Sequence, residues 1–147
     1  MIWWGVITGL VITTGVFFLL KRVRLSGFRR RLVDNSVKEW ELWGKPLWNQ
    51  YRDYQKGARE CDNIYQDRVA EYWKKGADRN RDGCDGTPWS SAFISYIMKK
   101  SGAKNDFVYS SGHTDYIRQF VQNRKKNNKS PFKAYRLGEK TLQLGDL

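Results

Sequence analysis

Cysteine, histidine and acidic residues are scarce in this sequence, and each shortage excludes a class of protein. The 147 residues include two cysteines, one histidine and 15 acidic residues against 27 basic ones. Two cysteines cannot build the multiple-disulfide framework of small secreted scaffolds, and one histidine without a CxxC pair argues against a zinc site. The shortage of acids leaves a formal net charge of +12, which favours contact with an anionic surface or partner.

The first 20 residues contain no charged side chain. Within them, IWWGVITGLVITTGVFFLL (Ile2–Leu20) is long enough, at about 1.5 Å per helical residue, to cross a hydrocarbon core of about 30 Å. No basic residue precedes the segment and no small-residue cleavage site follows it, so it differs from a signal peptide. The sequence therefore predicts an uncleaved transmembrane anchor at residues 1–20 and a protein bound to a lipid bilayer.

A basic segment, KRVRLSGFRRR (Lys21–Arg31), follows the apolar one and contains six basic residues and no acid. Anionic lipid headgroups attract such clusters beside a membrane helix. The predicted membrane-surface residues are Lys21, Arg22, Arg24, Arg29, Arg30 and Arg31. The positive-inside rule then places the N-terminus outside and the following domain on the cytoplasmic or interior side. A virion membrane and a periplasm-facing domain stay open as alternatives, and nucleic acid is the less favoured partner.

A mainly helical domain is predicted at residues 36–147, after a juxtamembrane segment at residues 21–35. Apolar residues recur at helical spacing in Val33–Trp43, Leu47–Lys56, Ala58–Lys75, Trp89–Lys100 and Thr114–Asn123. Two C-terminal segments, Pro131–Leu137 and Thr141–Leu147, have strand composition instead. The expected fold class is therefore α+β, with an N-terminal transmembrane helix, a helical front half and one or two strands. Another protein subunit could complete the unpaired edge of that sheet.

The segment GCDGTPWSSAFISYIMKKSGA (Gly83–Ala103) resembles the bacterial family known as domain of unknown function 2272. EWELWG (Glu39–Gly44) upstream and SSGHTDYI (Ser110–Ile117) downstream fit the same family. That family is similar in turn to papain-like, NlpC-type and CHAP-type cell-wall hydrolases, several of which carry a cysteine at the start of the helix after TPW. The resemblance implies the partial front half of a papain-like domain, with peptidoglycan as a candidate substrate.

Ser90 occupies the position that matches the nucleophilic cysteine of those hydrolases. A serine needs a close general base to act as a nucleophile, and His113 is the one histidine of the chain. The resemblance implies that the usual base would follow a turn such as LGDL (Leu144–Leu147), on a strand that the sequence does not include. Three interpretations stay open: a Ser90–His113 pair, Cys84 as a displaced nucleophile, and a non-catalytic helix start.

The loop DRNRDG (Asp78–Gly83) has the spacing of the first half of an EF-hand calcium loop. Its candidate calcium ligands are Asp78, Asn80 and Asp82, which bear oxygen at alternate positions. The twelfth position carries Trp89 instead of the glutamate that such a loop requires, and two arginines lie between the ligands. A metal-free turn held by Asx hydrogen bonds is therefore the favoured interpretation, and no other cofactor is predicted.

Two functions from different classes follow from these patterns. The first is a single-pass membrane-anchored scaffold, or a structural component of a larger membrane or virion assembly, built on a degenerate hydrolase-like domain. The second is a membrane-anchored peptidoglycan amidase or peptidase that uses Ser90 in place of cysteine. The missing cysteine and the missing base strand favour the first function, and the sequence alone does not decide whether the protein is an enzyme.

Overall fold

The computed structural model describes residues 27–45, 47–48, 54–55 and 59–146 of the chain. Most of these residues belong to α-helices or to the loops between them. The helices are α1 (Gly27–Leu42), α2 (Asn63–Ala77), α3 (Ser90–Ser101) and α4 (His113–Lys125). Two strands of two residues each, β1 (Leu47–Trp48) and β2 (Tyr54–Gln55), pair antiparallel between α1 and α2. A short 3₁₀ turn, Lys104–Asp106, lies between α3 and α4.

Residues with a left-handed backbone end three of the helices. Gly44 (φ 80°) follows α1 and Gly102 (φ 90°) follows α3. Asp78 adopts φ 50° after α2, and its backbone N–H donates to the Trp73 carbonyl. This conformation satisfies carbonyl groups of the last turn, and glycine and aspartate adopt it at a lower steric cost than most residues.

α3 is the central helix and packs against both α1 and α2. The buried side chains at these contacts include Leu32, Val69, Tyr72, Trp73, Ala92, Ile97 and Met98. Each large apolar side chain that is fully buried stabilises the fold by about 1.5–3 kcal/mol. Gly76 permits the close approach of α2, because a Cβ at this position would lie 2.2 Å from the Ala92 carbonyl oxygen. The core therefore fixes the position of α3 against α1 and α2.

α4 is held by an aromatic cluster. Phe107, which precedes α4 and is 2% exposed, stacks on Tyr116 with ring centroids 5.2 Å apart. Phe132, which follows α4, stacks on Phe120 at 5.4 Å and meets Phe107 edge-on at 5.9 Å. Rings from both sides of α4 thus set its orientation, because offset and edge-on aromatic pairs have preferred geometries.

The predicted α+β fold is wrong, because the structure is helical. In the described part of the chain, Pro131–Leu137 and residues 141–146 form turns and irregular segments rather than strands. Phe132 packs against the core, but Leu137, Leu142 and Leu144 lie at the surface, with Leu142 81% exposed. Strand composition produces a strand only where a second strand can pair along it. The segment Pro131–Leu137 packs instead on α4, where Phe132 stacks on Phe120 and the Ala134 N–H donates to the Phe120 carbonyl oxygen (3.2 Å). The prediction of a papain-like half-domain that ends in C-terminal strands is therefore wrong as well.

Four of the five predicted helices are confirmed, with different ends, and the helix predicted at Leu47–Lys56 is wrong. The short strands β1 and β2 occupy parts of that segment. Gly44 and Lys45 both have a positive φ, which turns the chain away from the axis of α1. Three apolar residues at helical spacing are too few to distinguish a helix from a short hairpin.

The prediction of a single-pass membrane protein also conflicts with the structure. Among residues 27–45, 47–48, 54–55 and 59–146, no helix is both long enough and apolar enough to cross a membrane. The predicted single-pass membrane localisation, and the orientation derived from it, conflict with this finding. The segment predicted as the anchor, Ile2–Leu20, lies outside the described residues.

The described part of the basic segment belongs to α1 and contacts the rest of the domain. Arg29 forms an ion pair with Asp146 (Nη2 to Oδ1, 2.7 Å). The Arg31 guanidinium donates to the Ser101 carbonyl oxygen at 2.8 Å. Arg30 and Arg31 are both exposed. These contacts hold the start of α1 against the end of α3 and the C-terminal turn. Lys21, Arg22 and Arg24 lie outside the described residues.

Candidate active site

Ser90 is the first residue of α3, and its side chain is exposed. The preceding Trp89 accepts the first hydrogen bond of the helix, from the Phe93 N–H to its carbonyl oxygen (2.9 Å). An α-helix leaves the N–H groups of its first residues without an intrahelical acceptor and carries a partial positive charge at this end. Ser90 therefore lies where negative charge on an oxygen atom is stabilised.

His113 is the first residue of α4, and it meets Ser90 directly. The distance between His113 Nε2 and Ser90 Oγ is 2.8 Å, which is hydrogen-bond distance. The starts of α3 and α4 thus bring together two residues that are 23 positions apart. This geometry meets the first requirement of a serine nucleophile, which is a general base within reach of its proton.

Tyr116 holds the other ring nitrogen of His113. Its hydroxyl forms a hydrogen bond with Nδ1, and its side chain is buried. Burial raises the pKa of Tyr116 to about 12, so the phenol is neutral near pH 7. When His113 Nδ1–H donates to the phenol oxygen, Nε2 keeps a lone pair that can accept the Ser90 proton. The spacing of three residues on one helix is the sequence signal that could have revealed Tyr116.

Two buried serines of α3 hold the loop that leads to α4. The Ser91 hydroxyl donates to the Ser111 carbonyl oxygen. The Ser95 hydroxyl donates to the Ser110 carbonyl oxygen (3.0 Å) and accepts the Ser110 N–H (3.1 Å). Ser91 and Ser95 are 2% and 0% exposed, so water does not compete for these bonds. One helix therefore carries Ser90 and also fixes the loop that precedes His113.

A disulfide between Cys61 and Cys84 fastens the loop that leads into α3. The two segments cross closely, because a Cβ on Gly83 would lie 2.0 Å from the Glu60 carbonyl oxygen. The Glu60 carboxylate also accepts the indole N–H of Trp89, the residue before the helix. The sulfur of Cys84, the alternative nucleophile, is therefore part of a disulfide in this structure and is not a free thiol.

Trp89 belongs to an aromatic cluster that supports the start of α3. Its ring stacks on Trp43 with centroids 5.3 Å apart, and Phe93 meets it edge-on at 6.0 Å. Trp43 in turn donates its indole N–H to the Tyr72 hydroxyl at 3.0 Å. Side chains from α2 and from the residue that follows α1 therefore hold the segment that carries Ser90.

The candidate calcium ligands Asp78, Asn80 and Asp82 lie in the loop between α2 and α3. Asp82 accepts hydrogen bonds from the Gln66 amide (2.9 Å) and from the Cys84 backbone N–H (2.8 Å), and both hold its pKa below the ordinary value. Asp78 forms an exposed ion pair with a lysine one turn earlier. No group of three His, Cys, Asp or Glu residues in the described ranges could hold a metal ion. The bond from the Cys84 N–H to the Asp82 carboxylate, two residues earlier, is that of an Asx turn.

A second polar cluster, which the sequence analysis missed, lies where α1, α2 and α3 meet. Glu39 is 1% exposed and accepts hydrogen bonds from Arg68 (Nε, 2.9 Å), Lys100 (3.1 Å) and the Tyr72 hydroxyl (2.7 Å). Burial raises the pKa of Glu39, but the bonds from Arg68, Tyr72 and Lys100 outweigh it and leave the pKa below its ordinary value. We call these four residues the Glu39 cluster. Its full set of partners is typical of a structural ion cluster.

The described helices α2, α3 and α4 lie within a segment that matches a known family. Residues 47–147 match the family described as an uncharacterised protein conserved in bacteria, domain of unknown function 2272. The chain belongs to this family. The family predicted from the sequence is thus confirmed, and the match says nothing of papain-like or CHAP-type hydrolases. No curated protein and no solved structure matches the chain.

The residues that match the family include all of one polar cluster and only part of the other. Ser90, His113 and Tyr116 all lie within the matched residues 47–147. Glu39 precedes that segment, although its partners Arg68 and Lys100 lie inside it. All three residues of the candidate active site therefore lie in the part of the chain that matches the family.

Proposed function

We propose that the protein is a hydrolase that cleaves an acyl bond, an ester or an amide, with Ser90 as nucleophile and His113 as general base. The observation that carries the proposal is the 2.8 Å distance between Ser90 Oγ and His113 Nε2 at the start of two helices. A serine hydroxyl is a weak nucleophile until a neighbouring base accepts its proton. The side chains of both residues are exposed, so a substrate can reach them.

In this mechanism the Ser90 oxygen adds to the substrate carbonyl carbon while its proton passes to His113 Nε2. The free N–H groups in the first turn of α3 stabilise the negative oxygen of the tetrahedral intermediate. His113 then protonates the leaving group as the acyl bond breaks. Water, deprotonated by His113, releases the acyl group from Ser90 and restores the resting state.

Peptidoglycan amide bonds are one substrate class to test beside simple esters, because the TPWSS segment resembles that of cell-wall hydrolases. The open position of Ser90 suits a polymer better than an enclosed pocket would. The proposal concerns the reaction and takes neither fold nor localisation from those hydrolases.

The test compares the full chain with Ser90→Ala, His113→Ala and Ser111→Ala. Purified peptidoglycan and p-nitrophenyl acetate serve as substrates, and a fluorophosphonate probe with peptide mass spectrometry identifies the reactive serine. We expect Ser90→Ala and His113→Ala each to lose activity at least about 1000-fold. Ser111→Ala is the matched control, because Ser111 is exposed and contacts Ser91 through its backbone carbonyl.

Probe labelling of Ser90 that disappears in His113→Ala would support the dyad. If the folded wild-type chain cleaves neither substrate and takes up no probe, or if Ser90→Ala keeps full activity, the proposal fails. Circular dichroism of each variant separates loss of chemistry from loss of fold.

The second candidate function is a non-catalytic scaffold within a larger assembly. It is favoured by the bond between His113 and a neutral phenol, because a phenol can donate to Nδ1 and leave Nε2 protonated. In that tautomer Nε2 cannot accept the Ser90 proton. The scaffold function expects Ser90→Ala and His113→Ala to leave the role of the protein in cells unchanged, whereas the hydrolase function expects both to abolish it. A subunit that pairs with a sheet edge stays a prediction.

A further inference from the structure

An apolar groove runs between α1, α3 and the C-terminal turn. It has a volume of about 270 Å³. Its aliphatic lining includes Val33, Val37, Ile94, Ile97 and Leu144. Val37 and Leu144 are 45% and 60% exposed, so the groove is open to solvent along one side. Its size is near the lower end for small-molecule sites, which suits one narrow apolar group.

The groove lies along the face of α3 that starts at Ser90, although Ser90 is not itself among the residues that line it. Ile94 follows Ser90 by four residues on α3, and Ile97 follows by seven, so all three lie on one face of the helix. Side chains four residues apart have Cβ atoms about 6 Å apart. At about 1.5 Å per residue, the face from Ser90 to Ile97 is about 10 Å long. An extended chain of several methylene groups that starts at Ser90 fits this length.

The far wall of the groove is held in place by polar contacts. Arg29 on α1 donates to Asp146 (2.7 Å) and to the Gln143 side chain (2.9 Å). Gln143 N–H also donates to Asp146, which closes the C-terminal turn that carries Leu144. The Asp146 carboxylate is therefore paired with the Arg29 guanidinium, and most of the other residues that line the groove are apolar.

We propose that this groove binds the aliphatic acyl chain of the substrate, so that Ser90 cleaves acyl groups of medium length in preference to acetyl. The inference rests on the proposed function, because it places the scissile carbonyl at Ser90. An aliphatic chain is favoured over a sugar or a peptide, since the groove offers apolar walls and few hydrogen-bonding groups. The leaving group lies outside the groove, on the solvent side of His113.

The kinetic test compares p-nitrophenyl octanoate with p-nitrophenyl acetate on the full chain. We expect kcat/KM to be about 100-fold higher for octanoate, since each buried methylene is worth up to about fourfold and part of the chain stays in water. Val37→Asp places a charge at the rim of the groove and is expected to lower the octanoate-to-acetate ratio at least about tenfold. Leu144→Asp, in the opposite wall, should lower the same ratio.

Val121→Asp is the matched control. Val121 is a helical valine of similar exposure (37%), but it lies on α4 and does not line the groove. Its substitution should leave both esters within about twofold of wild type, as surface changes normally do. Circular dichroism checks that each variant is folded.

A binding test separates failure of this inference from failure of the proposed function. Octanoate is titrated by calorimetry into Ser90→Ala, alone and combined with Val37→Asp or Val121→Asp. We expect one octanoate per chain, with affinity lost only in the Val37→Asp combination. Hydrolysis of acetate that depends on Ser90 but shows no preference for octanoate would overturn the acyl groove and leave the hydrolase proposal standing.

Absence of any esterase activity would overturn the hydrolase proposal, and the binding test then decides the groove by itself. Octanoate binding that Val37→Asp abolishes would support an acyl site, and absence of binding would overturn it. A second copy of the chain is the competing occupant. Dimerisation in light scattering that Val37→Asp abolishes, without octanoate binding, would likewise overturn the proposal.

Discussion

The two polar clusters of this protein have opposite surroundings. In the Glu39 cluster, a carboxylate buried between three helices is joined to a buried phenol and to two cations whose side chains reach the surface. The cluster of Ser90, His113 and Tyr116 lies where two helices begin, and two of its three residues are exposed. Charge is thus used to join the helices, whereas the candidate catalytic groups are a hydroxyl, an imidazole and a phenol. Substitutions in the Glu39 cluster are therefore expected to lower the stability of the fold, whereas substitutions in the cluster of Ser90, His113 and Tyr116 are expected to lower activity.

The largest loss of stability is expected from Glu39→Gln. The amide keeps the shape of the carboxylate but removes its charge, so Arg68 and Lys100 lose their shared anion in a buried site. We expect the free energy of unfolding to fall by about 2 kcal/mol, because a buried acceptor loses its charge while Arg68 keeps its ion pair with Glu71. Urea denaturation at pH 7 measures this change.

Glu41→Gln is the control for this substitution. Glu41 lies two residues later on α1 and pairs with Lys45 at 3.2 Å, but both side chains are about half exposed. Its loss should cost less than about 1 kcal/mol. Equal losses for Glu39→Gln and Glu41→Gln would mean that the Glu39 cluster does not stabilise the fold.

Acidification should produce a smaller, graded effect on the same cluster. The pKa of Glu39 is lower in the folded protein than its ordinary value of 4.5. The contribution of Glu39 is therefore fully present above that value and is lost as the pH falls through the folded pKa. Urea midpoints measured between pH 7 and pH 3 should fall more steeply for wild type than for Glu39→Gln. Parallel curves would contradict this.

The smallest effect is expected from Tyr116→Phe, which removes one neutral hydrogen bond to His113. Loss of such a bond is worth about 1 kcal/mol, so we expect kcat for p-nitrophenyl acetate to fall about fivefold to tenfold with little change in KM. A structural role alone would lower the urea midpoint and leave kcat of the folded enzyme unchanged. Phe120→Tyr keeps the ring count of the neighbouring cluster and serves as a packing control.

Much of the helical fold could be predicted, because local apolar spacing determines it. α3 is an example: Phe93, Ile94, Ile97 and Met98 recur at helical spacing and end at a glycine with a left-handed backbone. The C-terminal strands could not be predicted correctly by the same means. Strand composition is a local property, whereas a strand requires partners from distant parts of the chain.

The candidate site was only partly visible in the sequence. The residue types of Ser90 and His113 made a catalytic pair one possible interpretation. Their contact depends on how α3 and α4 begin, and this could not be derived from their spacing in the sequence. Ser95 and Glu39 escaped notice because their partners are distant in sequence: Glu39 and Lys100 are 61 residues apart. A polar residue on the buried face of an amphipathic helix was the available signal, and it does not name its partner.

The bond between Cys61 and Cys84 has a consequence for where and how the protein can be made. Disulfides persist in oxidising surroundings such as the periplasm, and cytosolic thiol systems keep cysteines reduced. Both residues are exposed, so soluble reductants can reach the sulfur atoms. Material produced in a reducing host cytosol should therefore carry two thiols and an untethered loop before α3. Secretion into an oxidising compartment, or oxidative refolding, is the route that yields the cross-linked form.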